Sequence, residues 1–179
     1  MQQINVLNDL SINVSTNTAP KFDFKTWDTG FLIDYIVNIH HTYVNESMDI
    51  INEFAAKVAH VHGAHAPETI KIAELFSDLS KELSAHMIKE ETILFPAIKS
   101  KIADNNFQYD EKVIEMLEDE HEAAGDIAKK LQELSNNFQA PEWACNTFRA
   151  LYFKLDEFIN DLYQHIHLEN NILFQKIRE

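Results

Sequence analysis

The sequence predicts an all-α domain built as an up-down-up-down four-helix bundle. Glycine and proline are scarce, with three Gly and four Pro in 179 residues, so few positions interrupt a helix. The stretches between them are rich in Glu, Lys, Leu, Ala and Ile, which favour helix. Apolar residues also recur at intervals of three and four, as a helix with one buried face requires. Two such stripes are Phe31, Leu32, Tyr35, Ile36 and Ile39, and Ile72, Leu75, Phe76, Leu79 and Leu83.

The first helix is expected to follow an N-terminal arm. Residues 1–27 are mixed and polar, with recurring Asn, Ser and Thr and no sustained period. Asp28 or Thr29 can cap a helix at its N-terminus, and this helix is expected to run to about His62. Gly63, a residue type common just after helix C-termini, then ends it.

Two further helices begin at residues that favour helix N-termini. Pro67 suits the first turn of the second helix, which continues to about Lys101. Pro96 lacks a backbone donor and should kink or terminate that helix. Asp110 can cap a third helix, which reaches about Asn137.

The fourth helix is expected to open at Pro141 and to run to the end of the chain. Three connections between four long helices are typical of an up-down-up-down bundle. Residues 28–179 are therefore expected to form one domain. With 45% hydrophobic content, the chain can bury a single core.

Composition excludes several classes of partner and site. The formal net charge of −14 would repel nucleic acid and anionic membranes. A single cysteine, Cys145, rules out an internal disulfide and a thiolate cluster, so a metal would bind through nitrogen and oxygen. Residues 1–21 lack the basic and apolar regions of a signal peptide, and no stretch reaches the ~20 apolar residues of a membrane span. The cytoplasm is the expected location.

The chemistry is indicated by a motif that occurs twice, once in each half of the chain. His86 is followed by Glu90 and an Ile-Leu-Phe run, and His165 is followed by Glu169 and the same run. Residues four apart lie on one face of an α-helix, one turn from each other. Each segment therefore directs an imidazole and a carboxylate at one point, which is a spacing suited to metal ligands. One such pair arises by chance on solvated faces, but two aligned copies favour a metal site.

A third histidine extends the duplication, because His41 and His121 are separated by nearly the same interval as the two motifs. In an antiparallel bundle, His41 lies about as far before the expected end of the first helix as His86 lies after the start of the second. Both therefore reach about the same level. Four histidines and two glutamates thus converge midway along the bundle, where helix bundles often hold metals. The predicted ligands are His41, His86, Glu90, His121, His165 and Glu169.

This ligand set suits two ions that share their carboxylates. Six ligands are too many for one ion in a two-fold arrangement and too few for two separate ions. If Glu90 and Glu169 each bridge the ions, and an oxide or hydroxide bridges them as well, two octahedral ions keep about one open position each. Imidazole and carboxylate with open positions favour iron over manganese or zinc.

The remaining histidines are expected to stay outside this centre. His40 lies about 100° around the helix from His41, so both cannot point inward, and only His41 obeys the duplication. His167 points away from the centre for the same reason. His62 lies roughly 31 Å from His41 along the helix axis and could join only if the helix folded back. The histidines near the end of the first helix form a polar helix end or, alternatively, an accessory cation site; they are His60, His62 and His65.

A second pattern competes with this interpretation. The segment from Glu118 to His121 contains a Glu-x-x-His unit, which occurs twice in ferritin-like di-iron bundles. One copy is visible here, whereas the His-x-x-x-Glu motif is duplicated. Glu120, beside His121, is expected to be either a solvated surface carboxylate or a proton carrier near the centre.

Four segments carry a resemblance to a known family. They are Leu-Ile-Asp-Tyr-Ile-Val-Asn-Ile-His-His ending at His41, Leu-Ser-Ala-His-Met-Ile-Lys-Glu-Glu-Thr-Ile-Leu-Phe-Pro ending at Pro96, Glu-His-Glu-Ala-Ala-Gly ending at Gly125, and His-Ile-His-Leu-Glu-Asn-Asn-Ile-Leu-Phe ending at Phe174. In these segments the chain resembles the hemerythrin-like cation-binding superfamily and, more closely, the Repair of Iron Centres family of bacterial di-iron proteins. The similarity runs from about Lys25 to the C-terminus. It implies a hemerythrin-like fold and a non-haem di-iron centre carried by the six predicted ligands.

The resemblance also implies a role in repairing iron-sulfur clusters damaged by nitric oxide or peroxide. The family is associated with iron donation to damaged iron-sulfur proteins or other iron acceptors, with nitric oxide reduction at the di-iron centre, or with both. It also aligns His62 with a histidine often counted among the ligands, although roughly 31 Å of helix would separate His62 from His41. Typical members carry an N-terminal domain with two adjacent cysteines, which residues 1–27 lack. The alternative expectation is a hemerythrin-like module that binds dioxygen or nitric oxide reversibly without turnover.

Overall fold

The computed structural model of the chain describes residues 22–103 and 110–178. Most of the predicted arm, residues 1–21, lies outside the described residues. A 3₁₀ turn, Phe24–Thr26, leads into the first long helix. All regular secondary structure in the described residues is helical. None of the described helices has the length and apolar character of a membrane span.

Helix α1 consists of Thr29–Tyr35, a π-helical turn Ile36–His41, and Thr42–His62. Asp28 caps it, as predicted, because its carboxylate accepts a hydrogen bond from the amide of Phe31 at 3.1 Å. The helix ends at the residue where the sequence predicts its end.

Helix α2 consists of Glu68–Lys89, a π-helical turn Glu90–Leu94, and Phe95–Ala103. The expectation that Pro96 terminates this helix is wrong. The π turn ends just before the proline, and the amide that follows the turn bonds five residues back along the chain. The helix then resumes and continues past Pro96.

Helix α3, Glu111–Leu134, begins after Asp110, whose carboxylate accepts a hydrogen bond from the amide of Lys112 at 3.1 Å. It ends before the predicted boundary at Asn137. The reason is a run of three residues with left-handed backbone angles, φ of 50°, 53° and 58°, which cannot continue a right-handed helix. These residues are Asn136, Asn137 and Phe138.

Helix α4 consists of Asn146–Leu168, a π-helical turn Glu169–Leu173, and Phe174–Arg178. The prediction that Pro141 opens this helix is wrong, since the segment between them is a turn. The guanidinium group of Arg149 holds that turn by donating hydrogen bonds of 2.7 to 3.3 Å to three of its carbonyl oxygens.

The four helices pack in the predicted up-down-up-down order. Helix α1 packs against α2 and α4, α2 packs against α3, and α3 packs against α4. Ion pairs between helix ends show that neighbours are antiparallel. Lys99 near the end of α2 lies 2.6 Å from Asp34 near the start of α1, and Arg178 at the end of α4 lies 2.9 Å from Glu118 in the first half of α3. The all-α four-helix bundle is therefore confirmed.

Two apolar clusters fill the bundle and leave a polar layer between them. Both clusters draw buried side chains from all four helices. Representative members are Met48, Phe76, Leu131 and Phe158 in the larger cluster, and Leu32, Phe95, Leu117 and Phe174 in the smaller one. The layer between them contains buried histidines and glutamates. Apolar packing on both sides therefore shields this layer from water.

Candidate metal centre

The polar layer contains all six predicted ligands. Their side chains come from all four helices, and none is more than 3% exposed. Helix α1 contributes one histidine, α2 a histidine and a glutamate, α3 one histidine, and α4 a histidine and a glutamate. In chain order they are His41, His86, Glu90, His121, His165 and Glu169. The structure thus brings together every residue that the duplicated motif indicates.

Three of the four helices form a π turn within this layer, at the ligands themselves. His41 ends the π turn of α1, Glu90 begins that of α2, and Glu169 begins that of α4. A π turn adds one residue to a helical turn and is frequent at functional sites. It changes the direction of the neighbouring side chains without ending the helix.

Two groups of ligands can be distinguished in the layer. The first, position A, consists of His41 and His165 with both glutamates. The Nε2 atoms of the two histidines are 3.1 Å apart. His165 Nε2 lies 3.0 Å from Oε1 of Glu169, and His41 Nε2 lies 3.4 Å from Oε2 of Glu90. The ligand atoms of the group all lie within 4.8 Å of one another.

The second group, position B, consists of His86 and His121 with the same two glutamates. The Nε2 atoms of these histidines are 2.9 Å apart. His86 Nε2 lies 3.3 Å from Oε2 of Glu90, and His121 Nε2 lies 3.1 Å from Oε2 of Glu169. Glu169 therefore directs one oxygen at each position, and both carboxylates are shared between the two histidine pairs.

The carboxylate oxygens fit cations. Both oxygens of Glu90 and both oxygens of Glu169 are buried and accept no hydrogen bond from the described residues. A buried carboxylate without donors is costly unless a cation compensates it. Two ions, each between one pair of imidazoles, would satisfy both carboxylates. Nitrogen and oxygen donors of this kind suit iron and other first-row metals.

Without a metal, protons balance the charges of the layer. Burial alone would lower the pKa of His41, but the close negative charges of Glu169 and Glu90 outweigh it and raise the pKa to about 10. Burial also opposes the charge of His86, yet its contacts with Glu90 raise its pKa to about 9. Burial would raise the pKa of Glu169, but the charge of His165 and the close contacts with the ring nitrogens of His121 and His165 hold it well below its usual value.

Outer hydrogen bonds orient three of the four ligand rings. In each, the Nδ1 atom donates to a side-chain oxygen, which leaves the Nε2 lone pair free for a metal. The pairs are His41 with Glu91 at 2.7 Å, His86 with Glu120 at 2.9 Å, and His121 with Asn170 at 2.7 Å. In contrast, His165 Nδ1 is buried and has no hydrogen-bond partner among the described residues.

His40 is buried as well, which corrects the expectation that it points away from the interior. Its side chain is 3% exposed, and its Nδ1 atom donates to Oδ1 of Asp161 at 2.9 Å. Its ring stacks on that of His165, with an interplanar angle of 9° and centroids 5.8 Å apart. The π turn Ile36–His41 changes the angle between adjacent side chains, so both histidines face packed neighbours. His167 is exposed, as expected.

The side chain of Glu120 is 35% exposed and is paired with groups next to the centre. It accepts a hydrogen bond from His86 and also pairs with Lys89. Burial would raise its pKa, but hydrogen bonds from Lys89 and His86 hold the pKa of Glu120 below its usual value. A cavity of about 450 Å³ lies beside this group, between α2 and α3, and reaches His86 and His121. Its lining includes both histidines of position B and the exposed residues Glu82 and Asp119.

His62 lies at the far end of α1 from the centre. An unbroken α-helix, Thr42–His62, separates it from His41 by about 30 Å. Its Nε2 atom lies 3.2 Å from Sγ of Cys145, and its ring contacts that of Trp143. The nearby histidines of the predicted polar end, His60 and His65, are exposed. Within residues 22–103 and 110–178, groups of three or more possible metal ligands form at positions A and B and not at this end.

Comparison with known families gives an independent identification of the bundle. The family model for the hemerythrin HHE cation binding domain matches residues 32–177. The match therefore includes all six residues of positions A and B and most of each helix.

Several relatives of stated role are similar along most of this chain. The iron-sulfur cluster repair protein YtfE of Pectobacterium atrosepticum is 37% identical over 173 residues, which are 95% of this chain and 76% of that protein. The probable iron-sulfur cluster repair protein of Haemophilus influenzae is 38% identical over 146 residues, 82% of this chain and 64% of that protein. The iron-sulfur cluster repair protein YtfE of Yersinia pseudotuberculosis is 39% identical over 145 residues, 81% of this chain and again 64% of that protein. The chain thus spans about two thirds to three quarters of the length of these relatives.

Proposed function

The chain belongs to the hemerythrin HHE cation-binding family, and from this premise we propose that its centre holds two non-haem iron ions, one at position A and one at position B. Glu90 and Glu169 would bridge the two ions, together with an oxide or hydroxide. One observation above all supports this proposal: the two ligand groups have different histidines but the same two carboxylates. A single mononuclear site would not require that sharing.

The proposed role is the repair of iron-sulfur clusters damaged by oxidative or nitrosative stress. Relatives with 37–39% identity are named iron-sulfur cluster repair proteins. The protein would donate iron to damaged iron-sulfur proteins or other iron acceptors, reduce nitric oxide, or do both, and the cytoplasm is its proposed location. Nitric oxide or dioxygen would be the small ligand.

The surroundings of the centre suit a small reactive ligand. Bound iron would supply open coordination positions and electrons for a diatomic ligand. The two apolar clusters keep water away from the layer on both sides, and the cavity between α2 and α3 admits small molecules as far as His86 and His121. Glu120 lies at this cavity, bonded to His86. It is therefore placed to exchange protons between solvent and the edge of the centre.

Anaerobic addition of nitric oxide to the reduced, iron-loaded protein tests the reductase activity. Formation of nitrous oxide and water from two nitric oxide molecules consumes two electrons and two protons, so a chemical reductant is supplied in excess. Nitrous oxide released over several turnovers, measured by gas chromatography, supports reduction. Uptake of nitric oxide without nitrous oxide assigns the protein to reversible binding. The matched control is Glu169→Leu, which removes a carboxylate shared by both positions.

Iron donation requires a separate experiment with an acceptor. The iron-loaded protein is mixed anaerobically with a cluster-free iron-sulfur protein, a thiol and sulfide, and cluster formation is followed by its visible absorption. Faster cluster formation than with the same amount of chelated iron supports direct donation. Equal rates with chelated iron and with the loaded protein would contradict it.

A further inference from the structure

The internal repeat places corresponding residues around positions A and B, and several of them differ between the two halves. His41 corresponds to His121 and His86 corresponds to His165, because nearly the same interval along the chain separates the members of each pair. If the neighbours were also repeated, the two positions would have equivalent surroundings. The same intervals pair four unlike neighbours, which are Glu91 with Asn170, His40 with Glu120, Glu82 with Asp161, and Lys89 with Leu168.

Position A is backed by two carboxylates. Glu91 accepts the Nδ1 hydrogen bond of His41 at 2.7 Å. Asp161 accepts the Nδ1 hydrogen bond of His40, whose ring stacks on that of His165. None of the ion pairs among the described residues joins a lysine or arginine to either carboxylate. The outer surroundings of position A are therefore anionic.

The groups that accept hydrogen bonds from the histidines of position B are neutral in sum once Lys89 is counted. His121 donates its Nδ1 hydrogen bond to the uncharged amide of Asn170. His86 donates to Glu120, but Lys89 pairs with that carboxylate and compensates its charge. In the internal repeat, Lys89 corresponds to Leu168, which is buried and apolar. The positive charge beside position B therefore has no counterpart beside position A.

We propose that position A binds its cation more tightly than position B, because Glu91 and the His40–Asp161 pair back its histidines with uncompensated negative charge. This inference rests on the proposed di-iron centre and gives its two positions different roles. A carboxylate bonded to a ligand imidazole makes the ring a stronger donor, and loss of such a partner typically lowers metal affinity by about 10–100-fold. Position A then fills first and retains its iron, and position B is the one that exchanges.

His40 and Asp161 are positioning residues in this scheme. His40 occupies the place in the repeat where the other half has Glu120, but it stacks on His165 instead of accepting its hydrogen bond. His40 Nε2 and Asp161 Oδ2 are both buried with no hydrogen-bond partner in the described part of the chain. Burying such atoms is unfavourable for folding. His40 contacts the ring of His165, and Asp161 holds His40 in place. In the proposed scheme, the pair therefore positions a ligand ring, which an apolar pair would not do with the same charge.

Anaerobic titration of the metal-free protein with Fe²⁺, followed by calorimetry, measures the two affinities. We expect two binding steps whose dissociation constants differ by about 10-fold or more. Glu91→Gln should weaken the tight step by about 10-fold or more and leave the weak step unchanged. Asn170→Asp should strengthen the weak step, an increase in affinity that a structural defect would not produce. Glu120→Gln is the matched control, because it should act on the weak step alone.

The positioning pair is tested by loading one equivalent of ⁵⁷Fe and recording the Mössbauer spectrum. The wild-type protein should show one ferrous quadrupole doublet, from iron at position A. Asp161→Asn should change this doublet and weaken the tight step, and His40→Phe, which keeps a stacked ring, should do the same. Glu120→Gln should leave the doublet unchanged, and circular dichroism confirms that each variant is folded.

Different failures are distinguishable. Two equal binding steps in the wild-type protein would overturn this inference and leave the di-iron centre intact. Equal weakening of both steps by Glu91→Gln, or an unchanged doublet in Asp161→Asn, would overturn it as well. A folded wild-type protein that binds no iron would overturn the proposed function and this inference together.

Discussion

Replacing Glu169 by Leu removes a carboxylate that belongs to both positions at once. Its Oε1 atom faces His165 at 3.0 Å and its Oε2 atom faces His121 at 3.1 Å. Leucine has a similar size and is apolar, so the variant tests the carboxylate rather than the space it fills. His86→Ala is the comparison variant, since His86 belongs to position B alone. The shared role of Glu169 therefore predicts a loss of metal in the first variant that is at least as large as in the second.

The expected magnitude follows from linkage between binding and folding. A ligand present at about 100 times its dissociation constant stabilises the folded state by about 2.7 kcal/mol, so two ions contribute about 5 kcal/mol. In a chain of 179 residues, each kcal/mol raises the unfolding temperature by about 2–4 °C. Iron should therefore raise the unfolding temperature of the wild-type protein by about 10–20 °C.

The assay compares each variant with its own chelated form, so that changes in intrinsic stability cancel. His86→Ala should keep about one iron per chain and about half of the temperature rise. Glu169→Leu should lose at least one iron and show a rise no larger than that of His86→Ala. Iron content is measured by metal analysis, and unfolding is followed by circular dichroism. Two irons per chain and a full temperature rise in Glu169→Leu would refute the sharing of this carboxylate.

Three further predictions concern the rest of the bundle. His62→Ala should retain both irons by metal analysis, because about 30 Å of helix separates it from the centre. Gly63→Ala should lower the free energy of unfolding by about 1–3 kcal/mol in denaturant titration, since its Cβ would lie 2.4 Å from a backbone oxygen. Gly125→Ala is the control, because its Cβ would have no neighbouring atom within 4 Å, and it should raise the free energy of unfolding by about 0.5–1 kcal/mol. In the chelated protein, the pKa of His41 is raised to about 10 and that of His86 to about 9. The protonated histidines therefore contribute their full stabilisation below pH 6.5, and this stabilisation is lost as the pH rises towards 10. Thermal unfolding measured between pH 6 and 10 checks this loss.

The four helices and the convergence of six side chains could be predicted because both depend on spacing along a helix. A histidine and a glutamate four residues apart share one face whatever the details of packing. The level of each ligand follows from the rise per residue in an antiparallel bundle. Helix caps such as Asp28 and Asp110 are equally local, since each acts on an amide two or three residues away.

The π turns could not be predicted, because the apolar stripe continues with the same residue types on both sides of each turn. The assumption of a regular α-helix across Ile36–His41 is what excluded His40 from the interior. The start of α4 was missed for a related reason. Pro141 is compatible with a first helical turn. However, Arg149 donates hydrogen bonds to that segment and holds it as a turn, and residue propensities do not predict such bonds.

The outer hydrogen bonds could not be predicted either, since they join different helices. Glu91 follows the ligand Glu90 on α2, yet it bonds His41 on α1. Glu120 precedes the ligand His121 on α3, yet it bonds His86 on α2. Each partner therefore lies beside one ligand in sequence and serves another in space, a relation that only the packing of the bundle reveals.

In the absence of a metal, protons on the histidines compensate the buried charge of Glu169. In the metal-free layer the pKa of Glu169 stays well below its usual value because neighbouring rings hold protons, and the pKa of His41 is raised to about 10 by the same contacts. A cation bound at position A or B would displace protons from these rings, and protons would replace a cation that departs. Apolar clusters on both sides of the layer contain packed side chains from all four helices. A bundle that stays charge-balanced and packed without a metal is compatible with the proposed donation of iron, because release of iron would not require the protein to unfold.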